Sequence, residues 1–75
     1  MIEGDRVKYI YNVNWMGRKG LIGSNGILKK MNERTLQDDG YTFNPGEYYL
    51  YEWGYGDSWW VPKNHLRKLK DSDLS

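Results

Sequence analysis

Residues 41–60 read YTFNPGEYYLYEWGYGDSWW. Nine of the chain's twelve aromatic residues fall in this stretch, which contains no Lys or Arg. Aromatic residues favour the pleated, half-buried surface of a strand, whereas Gly, Asn, Asp and Pro mark turns. The pattern predicts a strand over 47–53, a turn over 54–58 and a returning strand over 59–61. Before it, a short strand over 41–43 stops at the Asn44-Pro45-Gly46 turn. After it, Pro62 ends the returning strand because it has no N–H to donate. Residues 63–65 then fit one 3-10 turn, and 66–69 a last short strand.

The rest of the chain carries the same β grammar. Residues 6–13 (RVKYIYNV) predict a first strand with Val7, Tyr9 and Tyr11 on one face. Residues 14–19 form a loop carrying Trp15. Residues 20–31 (GLIGSNGILKKM) are Gly-rich yet apolar. Asn25-Gly26 suits a type I′ hairpin turn, but each arm would be only about three residues, which is marginal alone. A single bent strand curling around a small barrel is the preferred reading. Residues 32–40 are polar and read as a loop with room for one helical turn. Residues 71–75 read as a polar tail that frays.

Seventy-five residues make one domain, placed at 1–70. A chain this small buries only about 60–65% of its unfolded surface, so large rings must fill its core. Some rings must also stay exposed, and exposed Trp and Tyr suit contact with a partner. There is no Cys, hence no disulfide and no thiolate ligand set. No apolar leader and no membrane-length segment is legible, so the expected location is cytoplasmic, without membrane contact.

Net charge is +1, but the charges are segregated. Residues 6–34 hold seven Lys and Arg against Glu33 alone, whereas 35–62 hold five carboxylates and no base. Bases return at Lys63, Arg67, Lys68 and Lys70. Such segregation suits either a two-faced surface or ordinary solvated charge.

Catalysis finds little support. His65 is the only histidine, sits in a turn among bases, and reads as a surface or packing residue. Asp38-Asp39 reads as a solvated pair on a polar loop. Metal-ligand spacing is absent, and GRKGLIG lacks the spacing of a phosphate-cradling loop. These features argue against an enzyme and imply no cofactor.

Binding has two candidate surfaces. Trp15, Arg18 and Lys19 share one loop, and Lys29 and Lys30 end the next strand. A ring that stacks on a base, with cations for phosphates, is what single-stranded nucleic acid requires. The competing reading packs Trp15 over the end of the barrel and leaves the cations solvated. The second surface depends on the phase of strand 47–53. If Tyr48 and Leu50 face inward, then Tyr49, Tyr51 and Trp53 face out and join Tyr55 and Trp59 as a protein-binding face. The opposite phase buries those three rings. Of Trp59 and Trp60, one is expected in the core and the other exposed. Homodimerisation through the same face is a third option.

Three segments carry a resemblance: Gly4-Asp5-Arg6-Val7, then Gly26-Ile27, then Trp59-Trp60-Val61-Pro62-Lys63-Asn64-His65-Leu66. Together, over roughly residues 4–70, the chain resembles the bacterial and phage SH3-like small barrels, including KOW-type modules. The resemblance implies an all-β fold: a small SH3-like barrel of about five strands with a 3-10 turn before the last strand. It also implies contact with nucleic acid or with a transcription or translation complex. Two departures count against recognition of proline-rich peptides: the loop after the first strand is cationic, and His65 stands where a Tyr is usual. In size and ring content the chain also looks like phage early proteins, many of which bind and inhibit a host enzyme.

Overall fold

The structure, a computed structural model, describes residues 1–70 and is all-β, as expected. Strand β1 spans Arg6–Tyr9, β2 Asn25–Met31, β3 Leu36–Asp38, β4 Tyr41–Phe43, β5 Tyr48–Trp53, β6 Asp57–Pro62 and β7 Leu66–Lys68. A 3-10 turn lies at Trp15–Gly17 and another at Lys63–His65, immediately before the last strand. Five strands form one antiparallel sheet in the order β6-β5-β2-β1-β7, and β3 pairs with β4. The end strands β6 and β7 are not paired with each other, so the sheet curls without closing. The frayed tail expected at 71–75 lies outside the described residues.

The glycine-rich segment resolves as one strand, and Gly26 shows why. A Cβ there would stand 1.9 Å from the Glu52 carbonyl oxygen. Only glycine lets β2 come this close to β5. The register then shifts between Leu28 and Lys30, a bulge that bends β2. Residues 20–24 stay outside the strand.

The phase of β5 is the second of the two foreseen. Tyr49, Tyr51 and Trp53 are buried, while Leu50 is half-exposed. Their rings join Val7, Tyr9, Leu28, Val61 and Leu66 inside the curled sheet. This phase removes most of the protein-contact face suggested at Tyr49, Tyr51, Trp53, Tyr55 and Trp59. A core this thin takes the largest apolar side chains of an interior strand such as β5 first, because they bury the most area.

Tyr48, on the other face of β5, is buried too. The β3–β4 hairpin covers it. Phe43 stacks on Tyr48 with centroids 4.2 Å apart, and the Tyr48 hydroxyl donates to Asp38 Oδ2. Trp60 tilts against Tyr48 at 5.4 Å, whereas Trp59 packs on the inner cluster. Both indoles are half-buried, so neither is the fully exposed partner that the sequence pattern implied.

The strand expected over 41–43 is β4; its partner β3 lies within 32–40, where the sequence predicts a loop. The turn of this hairpin is Asp39-Gly40, with φ of 49° and 80°, between the paired residues Asp38 and Tyr41. Positive φ at both central positions is the type I′ requirement, and Asp-Gly is its usual chemistry. Asn32 fastens the segment to the sheet. Its Nδ2 donates to the carbonyls of Arg34 and Asn44, and its Oδ1 accepts from the backbone N–H of Glu47 and Tyr48.

Strand β6 forms one edge of the sheet. Lys63 N donates to the Glu47 carbonyl, which sets the phase of the ladder. Residues 57, 59 and 61 therefore bond to β5, and 58, 60 and 62 point outward. Position 62 is proline, so the outward N–H groups of this edge belong to Ser58 and Trp60 alone.

Candidate functional site

The segment between β1 and β2 is the longest connection, and it folds back over the sheet. Strand β1 ends at Tyr9, earlier than expected, so Tyr11 is not a core residue but an exposed ring. Trp15, in the first 3-10 turn, packs edge-on to both Tyr41 and His65, at 5.3 and 5.4 Å. Tyr11 lies flat on the His65 imidazole at 3.6 Å. Three elements thus meet at one groove of about 340 Å³. Tyr11, Val13 and Trp15 line it from the loop, and Tyr41 and Phe43 from the β3–β4 hairpin. Pro62, Asn64 and His65 close it from the second 3-10 turn. Among the described residues, no charged side chain lines it.

His65 is the hub of this wall and is 5% exposed. The Tyr9 hydroxyl donates its proton to the Val13 carbonyl and lies 3.2 Å from His65 Nδ1. A phenol has one proton to give, so Nδ1 must carry the hydrogen of that second bond. The imidazole is therefore the Nδ1–H tautomer, with a lone pair on Nε2. Among the described residues Nε2 has no hydrogen-bond partner, and the fully enclosed polar atoms without one are the indole nitrogens of Trp15 and Trp59. His65 itself lines the groove. Burial holds the His65 pKa below its ordinary value. Burial raises that of Tyr9, opposed by the backbone N–H of Trp15. Tyr48 is displaced upward as well, by burial first and then by its bond to Asp38. Trp15 acts on that phenol in the opposite sense, although its indole N–H meets hydrogen-bond geometry with no acceptor.

The five residues proposed for nucleic acid do not share a surface patch. Trp15 is half-buried in the groove wall. Arg18 turns away and lies over Trp59, its guanidinium carbon 3.5 Å from the ring centroid. Lys19 lines a neighbouring cleft with Arg18, Trp53 and Asp57. Lys29 is on β2 with its Nζ 3.7 Å from Glu52, and Lys30, past the bulge, lies beside Trp60. Of the aromatic set proposed for protein contact, Tyr55 alone is wholly exposed, at the tip of the β5–β6 turn. Arg18 covers part of Trp59.

Sequence reasoning missed Tyr11, Val13, Tyr41 and Phe43 as groove residues. It assigned Tyr11 to a core strand and left 32–40 as loop, so nothing placed Tyr41 opposite the first loop. The usable signal was Asp39-Gly40, which makes a hairpin of the flanking residues. His65 is a packing residue, as one reading held, but one ring nitrogen stays available. Among the described residues, no cluster of three His, Asp or Glu could hold a metal ion. Nor is any helix among them long and apolar enough to cross a membrane.

Comparison with protein-family models, curated proteins and solved structures finds no match to this chain.

Proposed function

We propose that this protein is a non-enzymatic binding module that takes an extended segment of a partner protein into the groove between Tyr11, Trp15, Tyr41 and His65. The observation that carries the reading is the uncharged, ring-lined lining of that groove. Such concave apolar sites with a few placed polar groups are the usual form of a binding pocket. Tyr and Trp also contribute large contact area at low entropic cost. The reading keeps the class of partner suggested by the likeness to phage inhibitors or adaptors and moves the contact face. Selection from a displayed random-peptide library tests it. Tyr11→Ala and Tyr41→Ala should each weaken a selected peptide by about tenfold, as a ring at the centre of an interface does. Both rings are exposed, so the fold should survive. Undiminished binding in the double variant would reject the groove.

A second reading, KOW-like contact with nucleic acid, draws support from a different face. Lys8 stands opposite Arg67 across β1 and β7, and Arg6 lies two residues along β1 on the same side. Cations spaced along one strand face suit contact with successive phosphates of a polyanion. Arg6→Glu with Lys8→Glu should abolish binding of a labelled RNA or DNA strand in low salt. No change in anisotropy titrations would remove this reading.

A further inference from the structure

Resting on the groove reading above, we infer that the side chain the groove accepts is a tryptophan indole of the partner, whose N–H donates to His65 Nε2. The argument begins with what the groove offers. Its walls include the rings of Tyr11, Trp15, Tyr41 and Phe43, and among the described residues no carboxylate or cation lines it. An anionic or guanidinium group would be desolvated there with no opposite charge to meet it. A large, flat, neutral side chain loses nothing by entering.

The polar chemistry narrows the choice further. Tyr9 consumes its only proton on Val13 and so fixes the His65 proton on Nδ1. The other ring nitrogen of this groove residue, Nε2, is then an acceptor. Of the protein side chains that combine a broad apolar face with a polar edge, indole is the one that only donates. A phenylalanine would cover Nε2 and leave its lone pair without a partner, which a buried acceptor does not tolerate well. The requirement is thus for a donor, a demand that a tyrosine hydroxyl at position 65 would not impose.

Acid should abolish this preference. Once Nε2 is protonated it becomes a donor and meets the indole N–H head on. The titratable groups that touch the imidazole are the phenols of Tyr9 and Tyr11, and Trp15 covers it from the loop; none of these brings a formal charge. The burial that keeps His65 neutral places this change on the acid side of the ordinary imidazole range.

Two probes that differ by one proton provide the test: N-acetyltryptophanamide and its 1-methylindole analogue. Each is titrated into the 15N-labelled protein at neutral pH and followed through the amide shifts of Tyr11, Tyr41, Asn64 and His65. The unmethylated probe should bind about three- to tenfold more tightly, the worth of one hydrogen bond. The same ratio should collapse towards one in acid, while the domain stays folded. Equal binding of both probes at neutral pH would overturn the donor requirement and leave the groove as a ring-binding site. Shifts at neither probe, or shifts confined to other residues, would reject the groove reading itself. His65→Phe should equalise the two probes. Because that variant loses the Tyr9 bond and could unfold, the imidazole 15N shifts of the unaltered protein give an independent check. A proton found on Nε2 rather than Nδ1 would refute the assignment outright.

Discussion

Asn32 does more for the fold than its place in a polar stretch suggests. It is 5% exposed and its amide joins four backbone groups, one at Arg34 and three at Asn44, Glu47 and Tyr48 where the chain enters β5. Replacing it with Ala leaves these groups to find other partners in a site closed to water. Asn32→Ala should lower the unfolding free energy by about 3 kcal/mol, read from urea midpoints. Asn32→Asp should cost a similar amount of about 3 kcal/mol, since a carboxylate oxygen would then face the carbonyls that Nδ2 now serves. An innocuous Asp variant would mean that the Nδ2 bonds matter little. Nothing local in the sequence marks this residue, because its partners come from positions up to sixteen residues away. The opposite holds for Gly26: an Asn-Gly pair draws attention, but to a turn. The requirement that it meets is a close approach of two strands, a property of the partner as much as of the glycine.

At the scale of elements, the joint between β2 and β5 carries the sheet. Gly26→Ala would drive a methyl group into the Glu52 carbonyl and the Tyr51 ring. It should destabilise the domain by at least about 2 kcal/mol, with the loss seen first as faster amide exchange along β2. Circular dichroism and exchange together would measure this, and wild-type protection would contradict the packing described. The aromatic strand, its turn, the Pro62 stop and the 3-10 turn were all legible, because each has its own local chemistry. The phase of β5 was not. Tyr48, Tyr49 and Tyr51 are chemically alike, so alternation gives two equivalent answers and only burial by other elements decides. Of the hairpin that buries Tyr48, the strand 41–43 is legible but its partner is not, since residues 32–40 are too polar to look like a strand. The groove was lost with it: one of its walls is that hairpin, and another is the end of a loop taken for a strand.

For the whole molecule, the rings set a window of pH. Tyr9, Tyr48, Tyr49 and Tyr51 all have pKa values raised by burial above 10.0. A folded-state value above the unfolded one means that these phenols favour folding below pH 10.0 and stop doing so as pH climbs through the raised values. His65 behaves in the mirror sense. Its value is lowered from 6.5, so its contribution is complete above that pH and is lost as pH falls through the depressed value. Thermal midpoints should therefore form a plateau between these limits and fall on both sides. Phenolate absorbance from the four buried rings should rise together with unfolding on the alkaline side. A gradual rise that precedes unfolding would show that these rings are not enclosed.

The outward edge of β6 has a consequence for how the protein behaves when concentrated. A sheet edge that carries two adjacent Trp residues, Trp59 and Trp60, invites a second chain to add strand upon strand. Here a second chain arriving at that edge would find two donors, at Ser58 and Trp60, before proline interrupts the zip. So short a seam cannot hold a growing filament.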